Sequence, residues 1–555
     1  MDSLDRRAFM RASAGALGGA LVVPAAGEVQ TPHTPDEPEL RIGEARWENG
    51  PLDDSVEDWK LFPHAYGVIA SERLMHPIDV AHWPVRIGRE RQLFVDNHLV
   101  ASAADVKRTV HQPVKERRNP IMVAEAPWEL DKKLVLLQVL RDPEGGRFRM
   151  WYTSWVRFMF PGTKIRGRMP TMYAESTDGL HWERPNLGLL EYNGSKANNW
   201  VIYGRMYGLI HDPAATDPNR RYLATVMHEP PYRTEGVYLY GSPDGLRWSL
   251  LRERPILRLL KGDVVYPLDG LGDTSQIRYD PLLKLFVCDA KFAFRPRFRT
   301  RGITTSPDLV HWSRPRMTIH PDAADGSDAQ IYANVSFAYE SMWLGMLRVY
   351  HDAPAGYKQV DVQLSASRDG LHWSRVARRD VFLPLGGNDS WERDYTDPAH
   401  SGPMLVGDEL WIYYRGTRYR ITDYPPGSRE AVESDEHYAF ATGLARLRRD
   451  GFVSIDAADN PGTVVTRPLA FDGRRLHVNA AVSPSGEIRV GVLDADGAPI
   501  PGLTSDRSAA ITGDATSTAV TWASGGDLAA ARDRYEHVRL AFTLRRAALY
   551  SWWIA

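Results

Sequence analysis

The chain has 555 residues, 43% of them hydrophobic and 25% charged. That balance is ordinary for globular proteins, so it excludes disorder as the default and leaves room for more than one core. Lys and Arg number 68 against 70 Asp and Glu, a net charge of -2, so no global field recruits nucleic acid or an anionic membrane, and any binding must come from a local site.

Arg6 and Arg7 precede Phe9, an Ala- and Gly-rich apolar run extends to Val23, and Pro24-Ala25-Ala26-Gly27 follows. A charged start, a short apolar stretch and small residues make the layout of a processed export signal, and the paired arginines look like the twin-arginine kind. Residues 1–27 are read as that signal, with a periplasmic or extracellular destination. The run is too short and weak for a stable transmembrane anchor. Cys288 is the single cysteine and has no partner for an internal disulfide. Residues 28–88, rich in Pro, His and acids, read as an extension that wraps the body or stays partly flexible.

From residue 89 to 458 the dominant signal is repetition. Ser176-Thr177-Asp178-Gly179-Leu180-His181-Trp182 recurs as Ser242 to Trp248, Ser306 to Trp312 and Ser367 to Trp373, with tryptophans 66, 64 and 61 residues apart. That period fits a four-stranded blade with generous loops. Ser and Asp close a turn on backbone amides, Gly supplies positive φ and Trp caps the apolar layer. A second series sits between the copies: Asp142-Pro143, Asp212-Pro213, Asp280-Pro281, Glu340 and Asp408 each precede an aromatic or apolar strand. Five hairpins predict a five-bladed β-propeller. Beyond a linker near Asn460-Pro461-Gly462, segments such as Ile488 to Val492 and His537 to Phe542 alternate, and residues 459–555 read as a β-sandwich.

The Ser-x-Asp motif resembles the Asp-box of sialidase-type propellers. A propeller followed by a sandwich resembles the glycoside hydrolase superfamily of families 32, 43 and 68. The strings Tyr173-Ala174-Glu175-Ser176, Trp182 to Gly188 and Glu191 to Asn199 look like bacterial proteins described as family-32-like. The resemblance implies an exported glycosidase acting on an oligo- or polysaccharide, at a furanoside or chain-end linkage, through three acids near the axis. Glycosidase chemistry requires one carboxylic acid to protonate the leaving oxygen and one carboxylate to attack or to activate water. Arg141-Asp142-Pro143 matches an invertase-like motif literally, but its recurrence at Asp212 and Asp280 assigns it to a turn. The Trp-x-Asn-Asp-Pro and Glu-Cys strings of family 32 are missing, a departure that counts against fructosidase activity specifically.

Catalytic acids then belong about one strand length before each turn, on the opposite rim. Asp273, Asp328 and Glu392 are the expected catalytic set, with Asp273 and Asp328 as nucleophile or base and supporting acid, and Glu392 as proton donor. Glu129 and Asp394 are further acidic candidates. Trp128, Tyr332, Trp391, Arg348 and His351 are expected to contact sugar, since aromatic faces beside carboxylates suit a saccharide. Each has a packing or structural alternative. Arg295, Arg297, Arg299 and Arg301 form a basic run with Phe298, which lines a solvated loop or binds an acidic sugar. No cofactor or metal motif is visible, although an axial calcium stays open. A non-catalytic glycan-binding propeller and a polysaccharide lyase are the alternatives, the lyase requiring Tyr, His or Arg as base.

Overall fold

A computed structural model describes residues 83–555 except 130–132, 143–144, 164–165, 229–235, 259–274, 295–297, 314, 353–357 and 419–438, together with 46–47 and 50–51. The expected signal at 1–27 and most of 28–88 lie outside the described residues.

Five antiparallel blades follow one another along the chain. Blade 1 runs Leu134–Arg141, Phe148–Ser154, Thr171–Ser176 and Trp200–Ile202 from its inner strand outward. Blade 2 begins with Arg205–His211, Tyr222–His228 and Gly236–Ser242, and blade 3 with Gln276–Asp280, Leu285–Phe294 and Phe298–Ser306. Blade 4 uses Ala329–Tyr339, Met342–Asp352 and Lys358–Ser367, and blade 5 uses Tyr395–Pro398, Glu409–Arg418 and Ala439–Arg448. The inner strands of blades 1 to 4 adjoin in turn, and the strands of blade 5 reach back to Leu134–Arg141. Val114–Lys115, from ahead of blade 1, supplies the outermost strand of blade 5 at Ala445 and Arg446. Closing blade 5 with a strand from ahead of blade 1 covers an open sheet edge.

Both repeat series have the expected mechanics. In the first motif Gly179 N donates to Ser176 Oγ at 2.8 Å, and Leu180 N and His181 N donate to Asp178 Oδ1 at 2.8 and 2.9 Å. Gly179 has φ +76°, and a Cβ there would lie 2.5 Å from Tyr413 Oη, so only glycine fits. Leu309 takes the same left-handed turn at φ 67° in the third copy, where glycine is absent. Asp280 accepts from Leu282 N and Leu283 N at 3.1 Å and from Trp343 Nε1 at 2.8 Å. It closes the turn after the inner strand, as its place in the Asp-Pro series requires.

The C-terminal module differs from its sequence boundary. Its ten-stranded network includes Gln92–Leu93, Val100–Ala104 and Lys107–Val110 as well as the long strands Leu476–Asp494 and Val538–Ile554. Residues 92–110, expected in the propeller, therefore belong to this module. Short N-terminal strands carry no periodic signal of their own and take their place from pairings such as Val110 with Val453. One apolar core, including Phe94, Leu99, Val478, Val490, Phe542 and Trp552, fills the module.

Asp450, fully buried, joins the two parts. It accepts from Tyr339 Oη of blade 4 at 2.7 Å, and from Arg91 Nη1, Asn479 Nδ2 and Ser551 Oγ of the module at 2.7, 3.0 and 2.6 Å.

Candidate active site at the propeller axis

Strands of blades 2 to 5, including the third strand of blade 3, bring a group of charged and aromatic side chains together. Strand alternation places Arg348 and Tyr350 on one face of blade 4. Tyr332 sits at a register shift between Ile331 and Ala333, and such an extra residue re-aims its side chain. The Tyr332 ring lies beside Tyr350 at 5.8 Å. Arg348, Lys291 and Arg299 approach that ring to 5.3, 5.6 and 5.8 Å, and Arg299 lies 4.8 Å from the Tyr350 ring.

Two carboxylates share this ground. Asp397, on the inner strand of blade 5, accepts from Arg348 Nη1 and pairs with Arg415 Nη2 at 2.6 Å. Burial opposes its charge, but Arg348 and Arg415 outweigh it and hold Asp397 below the usual carboxylate range. Asp289, on the second strand of blade 3, receives Arg301 Nε at 2.7 Å and Arg301 Nη2, both on Oδ1. Burial pushes Asp289 upward against Arg301, Arg278 and Arg348. Asp289 and His400 line a cavity of about 440 Å³ with Gln138, Gln276 and Arg278. Burial and the neighbouring Arg348 press His400 down to about 3, so it stays neutral. Lys291 is pressed down to about 7 by burial and by Arg299, Arg301, Arg348 and Arg205.

The residues expected from sequence divide sharply. Arg348 and Tyr332 lie together in this group, 5.3 Å apart. Asp273 lies outside the described residues, three positions ahead of Gln276. Asp328 faces His351 Nδ1 at 3.7 Å, and His351 Nε2 lies 2.9 Å from Asp361 Oδ2. Three positions along a strand reverse the face, so His351 points away from the side that carries Arg348. The Asp361 bond holds His351 above its ordinary range, with Asp361, Asp328 and Asp325 adding to it against burial.

Glu392 corrects the expectation of an axial proton donor. Its Oε1 lies 2.8 Å from Lys115 Nζ, and Lys115 is on the outermost strand of blade 5, so the carboxylate faces outward. Trp391 stacks on Tyr414 at 5.9 Å and lies where a Gly416 Cβ would be, as packing rather than a sugar platform. Asp394 is fully buried, with Arg393 Nε and Nη2 at 3.0 and 2.8 Å. Glu129 accepts from Tyr152 Oη at 2.5 Å, Arg184 Nε at 2.9 Å, and the backbone of Glu125 and Ala126 at 2.9 and 3.0 Å. A carboxylate so fully engaged is structural. Trp128 Nε1 donates to Asn199 Oδ1 at 2.8 Å in the same network.

Sequence reasoning missed Asp289, Asp397, Lys291, Arg205 and Arg415. Asp289 interrupts the apolar strand around Val287 and Cys288, and Asp397 precedes Pro398 in what reads as another turn. A usable signal was present: charged residues inside strands that are otherwise apolar need partners or a ligand. Among the described residues no three His, Cys, Asp or Glu side chains gather to hold a metal ion.

No protein-family model and no curated protein matches the chain. Among solved structures it is similar to a glycoside hydrolase, at 15% identity and TM-score 0.40, over 61% of this chain and 92% of that one. It is also similar to a thermostable family-43 glycoside hydrolase, at 14% and 0.39, over 58% and 93%. A fructofuranosidase from Schwanniomyces occidentalis aligns at 9% and 0.37, over 78% and 96%. At such identities and scores, the chemistry has to be read from the chain's own residues.

Proposed function

We propose that the protein is a glycoside hydrolase that cleaves an oligo- or polysaccharide at the propeller axis. The observation that carries this reading is a pair of buried, arginine-held carboxylates with Arg348 as a common neighbour, Asp397 held below and Asp289 pushed above the usual range. Asp397 stays ionised and serves as nucleophile or base. Asp289, raised by burial, donates the proton to the leaving oxygen through Oδ2, since the Arg301 bonds fall on Oδ1. Asp273 keeps its sequence-based claim as a third acid. Asp328 is paired with His351 and takes no part in this reading. A furanoside or chain-end linkage and export by the twin-arginine route belong to the same proposal.

The test is product analysis after incubating the full chain with a glycan panel. Hydrolysis creates new reducing ends without ultraviolet-absorbing unsaturation, and Asp397→Asn suppresses them. A second reading, a polysaccharide lyase, is favoured by Lys291 with its lowered proton affinity beside Tyr332 and Arg348. Unsaturated products would establish it and overturn the first.

A further inference from the structure

The axial site is cationic in a chain whose net charge is only -2. Arg301 pairs with Asp289, Arg348 and Arg415 pair with Asp397, Lys291, Arg299 and Arg348 gather at the Tyr332 ring, and Arg348 and Arg205 act on both Lys291 and Asp397. The carboxylates offset only part of that charge. Arg301 is committed to Asp289, while Arg348 and Arg415 divide Asp397 between them. Donors are left over. Nε and Nη2 of Arg348, Nε of Arg205 and Nε of Arg415 are buried and donate no hydrogen bond among the described residues. Arg348 is only 2% exposed. A buried guanidinium with idle N–H groups is costly unless something accepts from them.

A neutral sugar offers hydroxyls but no compensating charge. A planar or tetrahedral oxyanion offers both charge and paired acceptors, which is what guanidinium groups recognise best. The rings of Tyr332 and Tyr350 add an apolar face next to the same donors. Building on the hydrolase reading above, we propose that the axial site takes a glycan bearing an oxyanion, a hexuronate carboxylate or a sulfate ester. Arg348, Arg299 and Lys291 hold the anionic group, and the sugar ring packs on Tyr332.

The experiment is titration calorimetry of the full chain with matched oligosaccharides: an oligohexuronate, a sulfated oligosaccharide, a neutral counterpart, and inorganic phosphate alone. One charged oligosaccharide should bind roughly 10- to 100-fold more tightly than the neutral one, and its affinity should fall as salt rises. Whichever charged class binds identifies the group. Arg299→Gln should weaken that binding about 10-fold, with Arg299→Lys recovering part of it. Equal affinity for charged and neutral sugars overturns the proposal, as does absence of binding by both charged classes. Phosphate alone binding as tightly as the charged sugar also overturns it, because the anion would then be a separate small molecule. Charged binding without new reducing ends would sink hydrolysis and leave this site standing. Cleavage of neutral glycans without charge preference would do the reverse.

Discussion

Replacing Asp397 with Asn probes the axial ion pairs and the chemistry together. The side chain keeps its shape but loses the charge that Arg348 and Arg415 share, and its amide N–H₂ now faces a guanidinium. Arg348 is 2% exposed, so its uncompensated charge is expensive. Breaking one side of a buried pair costs about 3–5 kcal/mol, and loss of a catalytic base or nucleophile costs on the order of 10²–10⁴ in rate. Denaturant unfolding reads the first quantity, and reducing-end release reads the second. Added sulfate should recover part of the stability, by supplying the charge, but none of the rate. Asp397→Glu separates the two further: the charge is retained, so the fold is largely preserved, while the displaced carboxylate still loses turnover. Wild-type stability and wild-type turnover in Asp397→Asn would refute the reasoning.

Three other outcomes are expected. Because Lys291 sits near 7 while an unfolded lysine holds its proton to about 10.4, the unfolded chain binds more protons between those values. Stability should therefore rise with pH across that window, and affinity for a charged glycan should fall as pH passes upward through about 7. Lys291→Met should remove both trends, measured by unfolding and by calorimetry. Asp450→Ala should destabilise the protein by about 3–5 kcal/mol, since Arg91 loses its buried partner; denaturant unfolding will show it. Glu129→Gln should lower stability through Tyr152 and Arg184 while leaving the rate of the remaining folded protein unchanged, which kinetics on the purified variant can check.

The scaffold was far more legible than the site, for a physical reason. A blade repeats, so the Ser-x-Asp turns and the Asp142, Asp212 and Asp280 turns announce themselves by recurrence at similar spacing, and recurrence assigns those acids to turns. The axial residues occur once each and carry no period. Asp289 and Arg301 meet from neighbouring strands of one blade, which register alone can align. Arg348 and Asp397 meet across two blades, 49 positions apart, and no local pattern announces that contact. Glu392 shows the converse failure. Counting back from a turn located the right stretch, but the loop ahead of Tyr395 carries its carboxylate to Lys115, and Lys115 reaches blade 5 only through ring closure by a strand from the beginning of the fold. Strand swapping of that kind also moved residues 92–110 into the C-terminal module.

A crystal structure of the Asp397→Asn variant with a charged oligosaccharide tests the central claim most directly. The account predicts a sugar ring on Tyr332, an anionic group on Arg348 and Arg299, and the scissile bond between positions 397 and 289. Carboxyl groups near 5 Å apart would mark retention, and roughly 6.5–9.5 Å inversion. An oligosaccharide seated away from the axis, with Asp289 and residue 397 out of reach of any glycosidic oxygen, would contradict it.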